Sequence, residues 1–275
     1  MSSTQEQQTR PVAIVTGASG GIGEATARAL HAAGYRVFGT SRRVRAASAA
    51  GIEYLACDVT SDDSVQAAVG EVVTKAGRID VLVNNAGVGL VGGAEESSVE
   101  QAKSLFDVNL FGVIRMTNAV LPTMRRQRSG RIVNISSILG LIPAPFMALY
   151  GASKHALEGY SESLDHEIRS SGIRVVLVEP AYTRTSFDGN AYQADQQLGD
   201  YQSARTNAEG VLREAMTTAD APELVGSAVV KAVSAANPQR RYATGRMARQ
   251  VSLLRRFVPA SAFDKSLRKQ MRLPA

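Results

Sequence analysis

A tyrosine and a lysine stand four residues apart in Tyr150-Gly-Ala-Ser-Lys154, and Ser137 lies thirteen residues before them. On a helix that spacing puts both side chains on one face, a turn apart. A free phenol has a pKa of about 10 and is a poor acid or base near neutrality. A neighbouring ammonium favours the phenolate and brings the group toward the working pH. A serine hydroxyl beside the pair can hydrogen-bond a substrate oxygen. Together the three groups suit the interconversion of an alcohol and a carbonyl. A surface tyrosine–lysine pair has the same spacing, so the rest of the chain must decide.

The N-terminal segment supplies the second half of such chemistry. Val12-Ala-Ile-Val15 is short, apolar and β-branched, as in a buried parallel strand. Thr16-Gly17-Ala18-Ser19-Gly20-Gly21-Ile22-Gly23 follows, and the alanine-rich residues 24–33 read as a helix. Strand, glycine turn and helix form the context in which a dinucleotide pyrophosphate is held. Gly17, Gly21 and Gly23 let the backbone come close, with Ser19 and Ile22 between them. The helix start offers free N–H groups and a partial positive charge. A flexible glycine loop is the competing reading, and the flanking elements count against it.

The next strand, residues 35–40, runs into Ser41-Arg42-Arg43. An acidic residue here commonly accepts hydrogen bonds from the ribose hydroxyls of NAD. No Asp or Glu occurs between Ala25 and Ile52. Arg42, helped by Ser41, suits a 2′-phosphate instead, so NADP(H) is expected over NAD(H).

With these motifs in place, the chain resembles the short-chain dehydrogenase/reductase family over most of residues 10–245. Thr16–Gly23 looks like its cofactor fingerprint, and Asn84-Asn85-Ala86-Gly87 matches its segment after the fourth strand. The resemblance implies a catalytic tetrad of Asn109, Ser137, Tyr150 and Lys154. It also implies cofactor contacts from Asp58, Val59, Asn85, Ala86, Gly87, Pro180, Thr183 and Thr185, besides Tyr150 and Lys154. Ala181 stands where the family usually has glycine after Pro180, which puts the local backbone at Thr183 and Thr185 in question. The implied activity is hydride transfer, with Tyr150 as acid or base and Lys154 lowering its pKa and holding the nicotinamide ribose. Ser137 would orient the substrate oxygen and Asn109 a relay water. The family usually forms homodimers or homotetramers.

These groups need a scaffold. Strands are expected at 52–57, 79–84, 131–135, 175–178 and 240–244, and helices at 62–75, 99–126, 150–170 and 221–236. The alternation implies one doubly wound parallel α/β sheet of the Rossmann type, with right-handed crossovers. The expected organisation is a disordered polar start at 1–10, the cofactor-binding domain at 11–245 and a basic helical extension at 246–275. The length of 275 residues suits a single large core. Cys57 is the only cysteine, which excludes an intrachain disulfide, and its place at a strand end suggests a small buried side chain. The three histidines are scattered, so no metal site is expected. No secretory or membrane-spanning run is read, which makes the cytoplasm the default.

The stretch 138–149 is uncharged and carries Pro143 and Pro145, which suits an apolar loop walling a substrate pocket; ordinary core packing competes. Val88, Leu90 and Val91 are candidates to add to that wall. Residues 186–218 are polar and weakly patterned, and by position and by the family resemblance they look like a mobile lid over the substrate. Residues 240–275 hold ten Arg or Lys against the single acid Asp264. Met247, Val251, Leu254 and Val258, widened by Leu253 and Phe257, make a helical stripe edged by arginines and ended by Pro259. Three readings stay open: docking beside the pocket, which is favoured, peripheral contact with an anionic membrane, or a subunit contact. Nucleic acid is not expected as a partner, because the basic stretch has no aromatic platform.

The basic extension, Ser41-Arg42 and the run from Glu158 to Leu164 are similar to the branch containing 17β-hydroxysteroid and retinol dehydrogenases. That resemblance implies a steroid-, retinoid- or lipid-like substrate. The leading function is an NADP(H)-dependent oxidoreductase. The alternatives are a non-catalytic NADP(H)-sensing regulator and a membrane-surface protein using the tail.

Overall fold

The computed structural model describes residues 10–43 and 51–273. The expected disordered start lies outside the described residues except for Arg10. Seven strands form one parallel sheet: β1 (Val12–Thr16), β2 (Arg36–Ser41), β3 (Glu53–Ala56), β4 (Val81–Asn84), β6 (Gly130–Ile135), β7 (Ile173–Pro180) and β9 (Arg241–Thr244). Their order is β3-β2-β1-β4-β6-β7-β9. The chain therefore winds outward one way from β1 and then the other way from β4. The crevice between β1 and β4 is the switch point at which such sheets bind ligands.

Strand residues alternate between two cores because successive side chains leave opposite faces. Val12 and Ile14 pack on one face with Phe38, Val69 and Met116, under α2 (Asp62–Ala76), α4 (Gly112–Gln127) and α5 (Ala148–Ile168). Ala13 and Val15 pack on the other with Leu30 and Val229, under α1 (Gly21–Ala32) and α7 (Pro222–Ser234). Being covered on both faces is what makes these strands read as unbroken apolar runs. Gly226 lets α7 lie against α1, since a Cβ there would stand 3.0 Å from the Ala25 carbonyl oxygen.

Three regions depart from the sequence reading. The expected helix at 99–126 runs on without a break, but a π-helical turn (Asp107–Phe111) lies within it, between α3 (Val99–Phe106) and α4. Leu90–Val91 forms a short strand, β5, paired in parallel with β8 (Tyr192–Gln193). The polar lid then carries a full helix, α6 (Gln202–Thr217). The stretch is too weakly patterned for that helix to be read from it, and the pairing depends on partners about a hundred residues apart.

The tail also differs from expectation. It forms α8 (Gly245–Phe257) and, after Pro259, a second helix, α9 (Ala260–Gln270). α8 meets the body through its small residues, with Gly245 and Ala248 buried. The large apolar stripe docks only in part: Val251 and Val258 are half-buried, while Met247, Leu253, Leu254 and Phe257 are exposed. α9 buries no side chain but borders the body at one place. Leu267 and the following Leu273 line a cavity of about 450 Å³ with Pro143, Pro145, Met147, Ala148, Gly151 and His155. Among the described residues no helix is long and apolar enough to cross a membrane.

Candidate active site

The glycine segment is held by side chains from the neighbouring strand. The Thr16 hydroxyl accepts hydrogen bonds from the Asn85 and Ala86 amides at 2.9 and 3.0 Å. Asn85 Nδ2 donates back to the carbonyls of Thr16 and Gly17 at 2.9 and 3.2 Å. Gly17 has φ +65, a left-handed backbone that glycine tolerates best. A Cβ at Gly23 would lie 2.3 Å from the Gly17 carbonyl oxygen, so the turn closes only with glycine there. α1 starts inside this segment, with Ile22 and Gly23 in its first turn.

The start of α1 fits a phosphate. Its N-cap, Gly20, makes no side-chain hydrogen bond to the helix. Open space surrounds the position a Gly20 Cβ would take. The first N–H groups of a helix have no intrahelical partner, and here no cap side chain serves them. Ser19 and Gly21 flank this opening, and Thr185 closes it, its side chain 3.1 Å from where a Gly21 Cβ would stand. Thr183 is buried and bridges to Asp220. Ala181 causes no left-handed backbone, and the segment after Pro180 brings Thr185 to the glycine turn.

At the adenosine end, Ser41 closes β2 and donates its hydroxyl to the Arg43 carbonyl at 2.5 Å. Arg42 is exposed at the strand's C-terminal end. Asp58 accepts hydrogen bonds from the Thr60 amide at 3.0 Å and hydroxyl at 2.8 Å. These bonds hold its carboxyl below the ordinary range, with the charges of Arg42 and Arg115 adding to them against partial burial. Val59 is buried against Gly112, where a Cβ would stand 2.8 Å from its side chain.

The proton-transfer groups converge on the C-terminal ends of β4 and β6. The π-helical turn carries Asn109 into the interior, where it is 1 % exposed. Its Oδ1 accepts from the Val88 amide at 2.9 Å, and its Nδ2 donates to the Val88 carbonyl at 2.9 Å and to Ser153 Oγ at 3.1 Å. Ser153 in turn donates to the Tyr150 carbonyl at 2.7 Å. π turns often mark functional sites because they re-aim one side chain without ending the helix. Gly87 lies at the same junction: a Cβ there would be 3.3 Å from Asn109 Oδ1 and 4.0 Å from Lys154 Nζ.

Tyr150 sits in the first turn of α5 and Lys154 one turn on, both buried. The Lys154 ammonium lies 5.8 Å from the centre of the Tyr150 ring and donates to the Ile135 carbonyl at 3.0 Å. Burial pushes the Lys154 pKa down to about 8, with the Glu158 carboxylate opposing the shift. At neutral pH the group stays largely cationic. Ser137 is buried at the end of β6, and its Oγ accepts the Leu139 amide at 3.1 Å. The Phe187 ring, from the lid, stands 6.0 Å from that of Tyr150.

Several of these roles were not singled out in the sequence. Thr16 and Ser153 lie inside the quoted motifs, so their positions were the available signal. Phe187 carried none, because its place depends on how the lid closes. Leu90 is fully buried beneath the lid and serves packing there. Cys57 is buried as expected, its thiol pushed up to about 11 mainly by burial.

A doubly wound sheet, a glycine turn at its switch point and a buried Tyr–Lys pair with Ser and Asn define a dinucleotide-dependent oxidoreductase. The family model of the short chain dehydrogenases matches residues 11–196, and this chain belongs to that family. It is 38 % identical over 236 residues to the 3-ketodihydrosphingosine reductase of Bacteroides thetaiotaomicron, covering 85 % of this chain and 87 % of the relative. A short-chain dehydrogenase structure from Streptomyces avermitilis aligns over 96 % of this chain and 95 % of its own, at TM-score 0.79 and 34 % identity. A metagenomic short-chain oxidoreductase in complex with NADP matches at TM-score 0.67 and 31 % identity, over 84 % of this chain and 95 % of its own. A Burkholderia phymatum member in complex with NAD matches at TM-score 0.74 and 27 % identity, over 86 % and 89 %. Both cofactors thus occur among similar structures.

Proposed function

We propose that this short-chain dehydrogenase is NADP(H)-dependent and interconverts a hydroxyl and a carbonyl on an apolar, lipid-like substrate. The carrying observation is the set of buried side chains Asn109, Ser137, Tyr150 and Lys154, with the Lys154 ammonium 5.8 Å from the Tyr150 ring and Asn109 joined through Ser153 to the Tyr150 carbonyl. When bound, the nicotinamide cofactor supplies or accepts the hydride. Gly17, Ser19, Gly21, Ile22 and Gly23 would hold its pyrophosphate, with Asn85, Ala86, Gly87, Pro180, Thr183 and Thr185 around the rest. Asp58 and Val59 would border the adenine.

Tyr150 donates a proton to the substrate oxygen in reduction and takes it back in oxidation. The Lys154 charge favours the phenolate and so brings the phenol toward neutrality. Ser137 stabilises the same substrate oxygen by hydrogen bonding. Asn109, fixed by three hydrogen bonds, supports the path by which Tyr150 exchanges protons with solvent. NADP(H) is favoured by Arg42 just after β2 and by a sequence without Asp or Glu from Ala25 to Ile52, where a carboxylate would repel a 2′-phosphate. An apolar substrate is favoured by Phe187 against Tyr150 and by the uncharged 138–149 loop.

The test is NADPH consumption against carbonyl compounds graded from small polar ketones to long-chain and steroidal ones, for wild type and Tyr150→Phe. Turnover of the apolar members, lost in the variant, is expected. Full activity of Tyr150→Phe would refute the mechanism, and turnover of polar ketones alone would refute the substrate class. NADPH binding with no turnover of any compound would favour the sensing regulator.

One observation favours a second reading for the tail. α8 presents Met247, Leu253, Leu254 and Phe257 to solvent, with Arg249 and Arg256 along one edge. An isologous contact through this face would set like charges against each other, whereas an anionic bilayer complements it. The enzyme would then take its apolar substrate from a membrane surface. Co-sedimentation with vesicles containing anionic lipid, lost in Leu253→Ser/Phe257→Ser, is expected; equal recovery of both proteins in the supernatant refutes it. The family resemblance favours a homodimer or homotetramer, which light scattering would check.

A further inference from the structure

Behind Lys154 lies a buried acidic cluster that the proton transfer described above does not use. Glu158 follows Lys154 by one turn of α5 and is 4 % exposed, and Glu179, near the end of β7, is 1 % exposed. Arg241, on the adjacent strand β9, faces both. Its Nη1 donates to Glu158 Oε2 and, at 2.6 Å, to Glu179 Oε1. Its Nε and Nη2 donate to Glu162 Oε1, a turn further along α5, at 3.2 and 3.0 Å. Three carboxyls thus meet one guanidinium, with Lys154 the next cation.

The remaining oxygens of the inner pair are the telling atoms. Glu158 Oε1 and Glu179 Oε2 are buried; Glu158 Oε1 has the Ser136 hydroxyl beside it, and Glu179 Oε2 has no donor among the described residues. Gly140 leaves room for Glu158: a Cβ there would lie 2.8 Å from Ser136 Oγ and 2.9 Å from Glu158 Oε1. Two ionised carboxylates sharing one donor nitrogen repel each other, and a buried carboxylate oxygen without a donor is costly. A proton kept on one of them relieves both penalties.

We propose that Glu158 and Glu179 hold one proton between them over Arg241, and that this pair is a positioning element that keeps the Lys154 ammonium charged. The proposal rests on Lys154 serving Tyr150 as argued above. The directions of titration agree with it. Burial and then the Glu179 charge push Glu158 up to about 7, against Ser136 and Arg241. Burial likewise raises Glu179, against Arg241. As pH rises through neutrality the pair releases its proton to solvent, and Glu158 becomes fully anionic. Its charge then strengthens Lys154's hold on its own proton, in the range where burial alone would discharge the lysine.

The test compares pH profiles of kcat/KM in the alcohol-oxidising direction for wild type, Glu158→Gln and Glu167→Gln, a solvent-exposed carboxyl on the same helix. The expected result is an alkaline limb about one pH unit lower in Glu158→Gln and unmoved in Glu167→Gln. A Glu158→Gln enzyme slowed by one factor at every pH would overturn the proposal and leave the cluster a structural one. Should that variant fail to fold, infrared difference spectra of the wild type between mildly acidic and alkaline pH give a second readout. A protonated-carboxyl band that titrates near neutrality and is missing in Glu179→Gln is expected; its absence from the wild type overturns the proposal. The infrared result needs no turnover, so it separates failure of this proposal from failure of the catalytic assignment, which Tyr150→Phe decides.

Discussion

Arg205 of α6 and Glu96, in the turn after β5, form an ion pair with side-chain exposures of only 5 % and 0 %, across 109 residues of sequence. Glu96 also accepts the Gly93 and Leu198 amides at 2.6 and 2.7 Å. Burial alone would raise its carboxyl, but Arg205 and these two amides hold it below the ordinary value. The pair therefore bolts the lid to the segment that follows the Asn85–Gly87 turn. Phe187, which faces Tyr150, lies at the near end of the same lid.

Breaking this bolt from one side leaves a buried charge without a partner. Arg205→Met is expected to cost about 3 kcal/mol of stability and to raise KM for the substrate more than it lowers kcat. Replacing both partners, Glu96→Gln with Arg205→Met, should restore much of the stability, since it removes both charges and keeps an acceptor oxygen for the Gly93 and Leu198 amides. Melting curves with steady-state kinetics read both quantities. A single variant that melts and binds like wild type would sink the latch.

Two glycines of the cofactor turn separate packing from binding. Gly23→Ala puts a Cβ 2.3 Å from the Gly17 carbonyl and 2.5 Å from Asn85 Nδ2, so it should disrupt the turn and lower stability. Gly20→Leu meets no neighbouring atom with its Cβ and has an extended backbone, φ 178. It should fold with near-normal melting yet lose at least about tenfold in NADPH affinity, because the side chain fills the open helix start where a phosphate would sit. Fluorescence titration with NADPH checks this. Unchanged affinity in Gly20→Leu would place the pyrophosphate elsewhere.

Arg42 should carry the choice of cofactor. A hydrogen bond to a charged group contributes about 1.5 to 3 kcal/mol, so Arg42→Ala should weaken NADPH about tenfold or more and leave NADH nearly unaffected. Adding a carboxylate through Ser41→Asp should push the preference further toward NADH by repulsion of the 2′-phosphate. Paired kcat/KM values for the two cofactors measure it, and equal loss for both would show Arg42 to be general surface charge.

Much of this site was readable because its chemistry is local. Tyr150, Ser153 and Lys154 share a turn of one helix, and the glycines lie within eight residues, so spacing alone aligned them. Asn109 was legible as a residue type but not as a geometry: nothing in Asp107-Val108-Asn109 announces the π turn that carries it inward. The lid's pairing, the Glu96–Arg205 bolt and the Glu158–Glu179–Arg241 cluster join segments 62 to 109 residues apart, and a one-dimensional pattern holds no record of such contacts. The tail misled for a physical reason. An apolar stripe normally marks the docked face, but α8 buries Ala248 and leaves Met247, Leu254 and Phe257 exposed, while the chain just after α9 is held by Asn207 and by the Arg272–Glu214 pair.

Asp165 should give the fold its clearest acid dependence. The side chain is 2 % exposed and ties the end of α5 to the start of β7. Its Oδ1 accepts Arg174 Nε at 2.8 Å and the Val175 amide at 2.9 Å, and its Oδ2 accepts from Arg169. Burial would raise this carboxyl, but Arg174, the Val175 amide and Arg169 outweigh it and hold the pKa at about 2, below the ordinary 3.8. Because the folded value is the lower one, the stabilisation is complete above about pH 4 and drains away as pH falls through about 2. Asp165→Asn removes the charge at every pH and should cost about 3 kcal/mol near neutrality, where it strands two arginines. Chemical denaturation of both proteins at neutral, mildly acidic and strongly acidic pH would then show the gap between them closing only at the acid end. A gap that stays constant down to about pH 2 would mean that Asp165 acts through hydrogen bonding and shape, and not through its charge.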